Sequence, residues 1–104
     1  TLTDSVAEAT RDADVIYTDV WVSMGEPEEV WAERINDLKP YQVNTDAFKN
    51  AKDSAIFMHC LPVRRNMIVT DEVIEAPTSL VIPEAANREI SATVVLKRML
   101  EGLE

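Results

Sequence analysis

Two short apolar segments, each flanked by helical patterns, constrain the fold of this sequence most strongly. Residues 13–19 (ADVIYTD) and 54–60 (SAIFMHC) have the length and the β-branched or aromatic content of buried strands. A third strand is predicted over residues 79–82. Strands that alternate with helices are joined by crossovers and lie parallel, so the sequence predicts an α/β fold.

The segments between these strands carry capping residues and helical apolar spacing. Caps are predicted at Thr3-Asp4, Asn44-Thr45-Asp46 and Thr70-Asp71-Glu72, while Pro27 suits the first turn of another helix. The helices are then expected at about residues 5–11, 27–39, 45–51, 71–76 and 85–103.

A parallel sheet needs cover on both faces, and three strands make a thin one. We therefore expect residues 1–104 to form one unit without an internal boundary. The unit would be a three-layer, partial doubly wound parallel sheet that belongs to a larger protein.

Charge and composition exclude several classes of partner. With 19 acidic against 10 basic residues, the formal net charge of -9 repels polyanions, which argues against nucleic acid. The apolar runs are far shorter than the roughly 20 residues that cross a bilayer, so no membrane association is expected. The single cysteine cannot form an internal disulfide, and a cytoplasmic location is the expectation.

Polar and reactive side chains follow each predicted strand. Because ligands bind at the carboxyl ends of parallel strands, we expect the three groups to converge on one edge of the sheet. Loops after strands are often polar without being functional, so a purely structural explanation stays open. The three groups are Asp19, Trp21, Ser23, Met24 and Gly25, then His59, Cys60, Leu61, Pro62, Arg64 and Arg65, then Glu84, Asn87 and Arg88.

The neighbouring His59 and Cys60 resemble a nucleophilic pair only at first sight. Adjacent residues in a strand point to opposite faces, so the two side chains could not share a proton. Taken alone, His59 is more often a hydrogen-bonded core residue, and Cys60 is more often inert packing. Arg64 and Arg65 are either surface charge or ligand contacts. No metal-ligand spacing and no glycine-rich phosphate loop is present, so no cofactor is expected.

The ordered motifs resemble the second half of ornithine carbamoyltransferases over nearly the whole chain. They are DVWVSMGE (19–26), YQVN (41–44), FMHCLP (57–62), TDEV (70–73) and EAANR (84–88). The resemblance implies a Rossmann-like, ornithine-binding C-terminal domain. The implied reaction moves the carbamoyl group of carbamoyl phosphate to the δ-amine of ornithine.

The same resemblance implies a role for each matching residue. Asp19 would hold the α-ammonium of ornithine, with Ser23 and Met24 in a mobile loop that closes over it. Cys60 would accept a proton, and Cys60, Leu61 and Arg88 would bind carbamoyl phosphate. The partners it implies are an N-terminal domain that supplies a Ser-Thr-Arg motif and packs in part on the last helix, and further copies in a homotrimer. The chain alone is then expected to have no useful turnover.

Three alternatives remain open. The direct connection from HCLP to TDEV, and the tail VIPEAANREISATVVLKRML, look more like carbamoyltransferases that act on N-succinylornithine or N-acetylornithine. An N-acylated ornithine has no α-ammonium for Asp19, which favours free ornithine. A non-catalytic α/β binding module is the second alternative, and a cysteine hydrolase is the third, disfavoured by the strand geometry.

Overall fold

The computed structural model describes residues 1–103, and its helices and strands alternate as the sequence predicts. The two strands, β1 and β2, pair in parallel, with Val15 opposite Ile56 and Thr18 opposite His59. The parallel α/β prediction is thus confirmed. In chain order the elements are α1 (Val6–Thr10), β1 (Val15–Thr18), α2 (Val30–Leu38), a 3-10 turn (Lys39–Tyr41), α3 (Thr45–Lys49), β2 (Ile56–His59), α4 (Asp71–Ile74) and α5 (Val81–Glu101).

The helix caps differ in how well the sequence located them. Asn44 caps α3 as predicted, because its side chain accepts the backbone N–H groups of the next turn. The first helix is capped one residue later than predicted, by Ser5. Thr70 precedes α4 but makes no capping bond; the Asn66 side chain accepts the Asp71 N–H instead, at 3.1 Å. A local pattern could not reveal a cap that comes from a neighbouring turn.

The predicted third strand over residues 79–82 is wrong. Only Ser79 forms a bridge, to Phe57, and α5 begins at Val81, four residues before the predicted start. Pro83 explains the early start, since the first turn of a helix has no intrahelical use for a proline N–H. The apolar segment Leu80–Val81–Ile82 therefore turns into helix after one strand-like contact.

The core lies against one face of the small sheet. Phe57 and Val69 are fully buried, and Phe57 meets the Phe48 ring edge-on at 6.4 Å between centroids. The opposite face is open among the described residues, where Tyr17 is 57% exposed. The buried cluster contains Ile16, Val43, Phe57, Val69, Val73, Ile74 and Val81.

Most of α5 lies outside this core. Val81 is its only buried residue, and the radius of gyration of 16.5 Å exceeds the roughly 13 Å of a compact 100-residue domain. The helix therefore projects from the body and leaves a long apolar surface uncovered. The exposed large apolar residues along it and just past its end are Ile82, Ile90, Val94, Val95, Leu96, Met99, Leu100 and Leu103.

Replacing Phe57 should test whether this small cluster carries the fold. Phe57→Ala removes a fully buried ring, so we expect the free energy of unfolding to fall by about 3–5 kcal/mol. Chemical denaturation followed by circular dichroism measures the change. Leu2→Ala, at a fully exposed position, is the control and should stay within about 0.5 kcal/mol of the parent. Equal effects of the two substitutions would contradict the proposed core.

Candidate active site at the carboxyl edge of the sheet

The strand register brings Asp19 and Cys60 together. Thr18 and His59 are paired across the sheet, so the residues that follow them leave it side by side. The Cys60 Sγ donates to Asp19 Oδ1 at 3.4 Å, and the same carboxylate oxygen accepts the Val20 N–H at 2.8 Å. Two of the three predicted groups therefore meet at one point, as expected for the carboxyl ends of parallel strands.

This contact sets the charges at the edge of the sheet. The hydrogen bond from the Val20 N–H, followed by that from Cys60, lowers the pKa of Asp19. Burial, followed by the Asp19 carboxylate, raises the pKa of the Cys60 thiol. At neutral pH the site thus presents a carboxylate beside a protonated thiol.

His59 occupies a different environment from its neighbour Cys60. Its ring is fully buried, and Nδ1 lies 2.6 Å from the Thr18 hydroxyl oxygen. Burial lowers the pKa of the imidazole, so the ring is neutral at physiological pH. Nε2 has no hydrogen-bond partner within residues 1–103. The separate contacts of His59 and Cys60 agree with the strand alternation that argues against a Cys-His pair.

A cavity of about 520 Å³ opens next to this contact. Seven residues of the predicted groups line it: Trp21, Ser23, Met24, Cys60, Leu61, Pro62 and Arg64. Its other walls include Trp31 and a turn formed by Met67 and Ile68, which sequence reasoning did not place there. Met67 and Ile68 reach the cavity because Asn66 adopts a left-handed conformation and reverses the chain, which no local pattern signalled.

The loop that carries Ser23 and Met24 is anchored at one end and free at its tip. Glu26 accepts the Ser23 N–H at 2.5 Å and pairs with Arg34 of α2 at 3.1 Å. Gly25 has a φ of 91°, a conformation that suits glycine. The Met24 side chain is 97% exposed, so it projects into solvent at the rim of the cavity.

The two adjacent arginines separate in the structure. The Arg64 guanidinium lies 4.0 Å from the Trp31 ring centroid and lines the cavity. Arg65 instead pairs with Asp71, at 3.1 Å, and with Glu75, away from the cavity. Arg64 is therefore the basic residue that the cavity offers to an anionic group.

The third predicted group is divided. Glu84 reaches the sheet, where its Oε2 accepts the His59 N–H at 3.0 Å. Arg88, one turn further along α5, is exposed and lines a separate shallow groove of about 480 Å³ with apolar residues of that helix. In this chain Arg88 is thus not part of the Cys60 cavity.

Within residues 1–103, no three His, Cys, Asp or Glu side chains are grouped in a way that could hold a metal ion. Over the same range, none of the helices combines the length and apolarity needed to cross a membrane.

Comparison with known proteins decides the family. The profile of a domain described as "Aspartate/ornithine carbamoyltransferase, Asp/Orn binding domain" matches residues 1–99. The chain belongs to the aspartate/ornithine carbamoyltransferase family. The resemblance drawn from the motifs is thereby confirmed.

Curated relatives of this chain include more than one acceptor class. It is 50% identical to the catabolic ornithine carbamoyltransferase of Treponema denticola, over 85% of this chain and 31% of that protein. It is 53% identical to the N-succinylornithine carbamoyltransferase of Bacteroides thetaiotaomicron, over 93% of this chain and 30% of that protein. The chain spans about a third of the length of these relatives.

Solved structures confirm the Rossmann-like α/β fold. The anabolic ornithine carbamoyltransferase of Campylobacter jejuni superposes with a TM-score of 0.84 at 33% identity, covering 96% of this chain and 32% of that one. The enzyme of Pyrococcus furiosus gives 0.72 at 52% identity, covering 80% and 26%. The chain thus has the fold of one part of those proteins.

The Asp19 and Cys60 contact can be measured through the only cysteine of the chain. Because the Asp19 charge raises the pKa of the thiol, Asp19→Asn should lower that pKa and increase the thiolate fraction near neutral pH. The pH midpoint of alkylation by iodoacetamide reports the change. Asp14→Asn, at an exposed carboxylate that pairs with Lys52, is the matched control and should leave the midpoint unchanged. An unchanged midpoint in Asp19→Asn would contradict the contact.

Proposed function

We propose that this chain is the acceptor-binding half of an ornithine carbamoyltransferase that serves arginine biosynthesis. The reaction transfers the carbamoyl group of carbamoyl phosphate to the δ-amine of ornithine, giving citrulline and phosphate. The observation that carries the proposal is the Asp19 and Cys60 contact of 3.4 Å beside a cavity of about 520 Å³, in a chain with ornithine carbamoyltransferase relatives.

Asp19 supplies the recognition of a cationic acceptor. Its lowered pKa keeps the carboxylate charged at neutral pH, and its position at the strand end leaves it exposed. An α-ammonium group can therefore form a charge-assisted hydrogen bond there. An N-acylated ornithine has a neutral amide in that place and would leave the charge of Asp19 uncompensated.

Cys60 and Asp19 form a coupled pair in the proposed proton transfer. The δ-amine attacks only when neutral, so its proton needs an acceptor. In the structure the thiol is protonated and donates to Asp19. An α-ammonium bound at Asp19 would offset the charge that raises the pKa of the thiol. Acceptor binding would then favour the thiolate, which is the form of Cys60 that can take the proton.

Arg64 is proposed to hold the carboxylate of the acceptor. It lines the same cavity as Cys60, and stacking on Trp31 limits the freedom of its guanidinium. A planar guanidinium matches a carboxylate with two parallel hydrogen bonds. The cavity would thus bind a zwitterion between Asp19 and Arg64, with the Ser23 and Met24 loop closing over it.

Carbamoyl phosphate is proposed to bind where this chain meets a second domain. Cys60 and Leu61 provide one wall, and Arg88 provides positive charge for the departing phosphate. Since Arg88 lies on the projecting part of α5, it can join the site only when a further element covers that helix. We assign this cover to an N-terminal domain, with the active enzyme assembled as a homotrimer.

The uncovered face of α5 supports the proposal that a second domain completes the site. Large apolar side chains are exposed along most of the helix, which is more than an isolated domain normally leaves in one stripe. The relatives are about three times as long as this chain, so their additional length is available to cover it. A reducing compartment such as the cytoplasm suits the free thiol of Cys60.

A carbamoyltransferase for N-succinylornithine or N-acetylornithine is the second candidate. The observation in its favour is the 53% identity to the Bacteroides thetaiotaomicron enzyme, over 93% of this chain. Arg64 could then hold a succinyl carboxylate. Asp19 decides between the acceptors because only free ornithine carries an α-ammonium group that complements it.

Activity assays with three acceptors should separate these possibilities. Joined to an N-terminal domain, the chain should make citrulline from ornithine faster than it carbamoylates N-acetylornithine or N-succinylornithine. Cys60→Ala should lower kcat about 100-fold, the range for loss of a general base, and Arg88→Ala should raise KM for carbamoyl phosphate about 10-fold. The chain by itself should show no turnover.

These assays also distinguish the competing interpretations. Faster reaction with an N-acylated ornithine would show that the acceptor is not free ornithine. The absence of any carbamoylated product from the joined enzyme would instead favour a non-catalytic α/β binding module.

Arg64→Gln tests the proposed carboxylate contact. Loss of a charge-assisted bond should raise KM for the acceptor about 10-fold with little change in kcat. Arg65→Gln is the matched control, because Arg65 pairs with Asp71 and Glu75 outside the cavity. Steady-state kinetics with varied acceptor measure both. Equal KM values for the two variants would show that Arg64 does not hold the acceptor.

A further inference from the structure

Glu84 occupies a position that a third strand would otherwise fill. Along the free edge of β2, the Phe57 N–H donates to Thr78 O at 3.0 Å, and the Leu80 N–H donates to Phe57 O at 2.9 Å. The next backbone donor on this edge is the His59 N–H, two residues along. The chain has by then turned into α5, so no backbone carbonyl of the described residues continues the ladder.

The Glu84 side chain supplies the missing acceptor. Its Oε2 accepts the His59 N–H at 3.0 Å, and the residue is half-buried in the first turn of α5. A carboxylate at that turn is also favoured by the positive end of the helix dipole. The hydrogen bond is charge-assisted and is therefore stronger than the backbone N–H to carbonyl hydrogen bond that a third strand would make there.

This bond acts on the residue next to the proposed reaction centre. His59 directly precedes Cys60, and its ring is held against Thr18, which directly precedes Asp19. The same carboxylate also raises the pKa of the Tyr17 phenol on β1. Glu84 thus contacts the end of β2 and acts electrostatically on β1.

We propose that Glu84 is a positioning residue, whose carboxylate replaces the third strand at the His59 N–H and thereby fixes Cys60 within hydrogen-bond reach of Asp19. In this proposal Glu84 acts through the His59 backbone and not through contact with the substrate. Its value for catalysis rests on the proposed carbamoyltransferase function, whereas the geometric claim stands without it.

Three substitutions separate the effect of the length of the Glu84 side chain from the effect of its charge. Glu84→Gln keeps an oxygen at the same distance and loses the charge, whereas Glu84→Asp keeps the charge and shortens the side chain by one methylene. Glu84→Ala loses both. Glu89→Gln, an exposed position on the same helix, controls for the removal of one negative charge from α5.

The readout is a double-mutant cycle on the Cys60 thiol. In each background, the iodoacetamide labelling rate near neutral pH is measured with Asp19 intact and again with the added substitution Asp19→Asn. The labelling rate with Asp19→Asn, divided by the rate with Asp19 intact, should remain as in the parent with Glu84→Gln and Glu89→Gln. It should fall towards one with Glu84→Asp and Glu84→Ala, because Cys60 no longer lies beside Asp19.

A purely electrostatic influence of Glu84 on the thiol would add to that of Asp19 and would cancel in the ratio of the two rates. It would appear only in the individual rates, where Glu84→Asp would behave as the parent and Glu84→Gln as Glu84→Ala. An unchanged rate ratio in all four backgrounds would therefore overturn the proposal.

A measurement on the unmodified chain tests the proposal even if the variants fail to fold. Amide hydrogen exchange followed by NMR should show the His59 N–H protected to the level of its neighbours in β2. A rapidly exchanging His59 amide in the folded parent would overturn the proposal without any substitution.

Kinetics of the enzyme joined to its N-terminal domain complete the test. Glu84→Asp should reduce kcat more than Glu84→Gln does, while KM for carbamoyl phosphate changes little in either. A reversed order would overturn the catalytic part of the proposal. If the parent enzyme transfers no carbamoyl group at all, the proposed function fails, and the thiol cycle still decides the role of Glu84.

Discussion

The parallel register of β1 and β2 is the constraint on which the rest of the site depends. Because Thr18 lies opposite His59, the residues that follow them, Asp19 and Cys60, leave the sheet side by side. A shift of the strand register by one residue would separate the two. The buried pair of Ile16 and Phe57, which lie opposite each other in the sheet, stabilises this register. Hydrophobic packing in the core thus determines a polar contact at the edge.

The same sheet shows why the sequence predicted some parts of the fold and missed others. Residues 13–19 and 54–60 are bounded by polar residues and pack through alternate positions, so local pattern was sufficient to find both strands. Residues 79–82 have similar composition, but a proline at position 83 and the carboxylate of Glu84 allow the chain to leave the sheet as a helix. The composition of residues 79–82 could not distinguish these outcomes, because one cause is the following proline and the other is a contact between residues 25 positions apart.

The candidate site divides in the same way. Its position at the carboxyl ends of the strands followed from general rules for parallel sheets, and so did the separation of His59 from Cys60. The distinct positions of Arg64 and Arg65 did not, since they depend on Trp31 in one case and on Asp71 and Glu75 in the other. Adjacent residues of the same type acquire different roles only through their tertiary partners.

An acidic chain can nevertheless attract two anionic groups if its few cations are placed locally. The net charge of -9 acts over the whole surface, but salt screens it beyond about 10 Å. Arg64 acts at contact distance inside a cavity, where screening is weak, and stacking on Trp31 does not consume its hydrogen-bond donors. Arg88 lies instead on the uncovered helix, where water surrounds it. Under the proposed function, the chain would supply most of a site for a zwitterion and only one side of a site for a phosphate, which is the asymmetry expected of an acceptor-binding half.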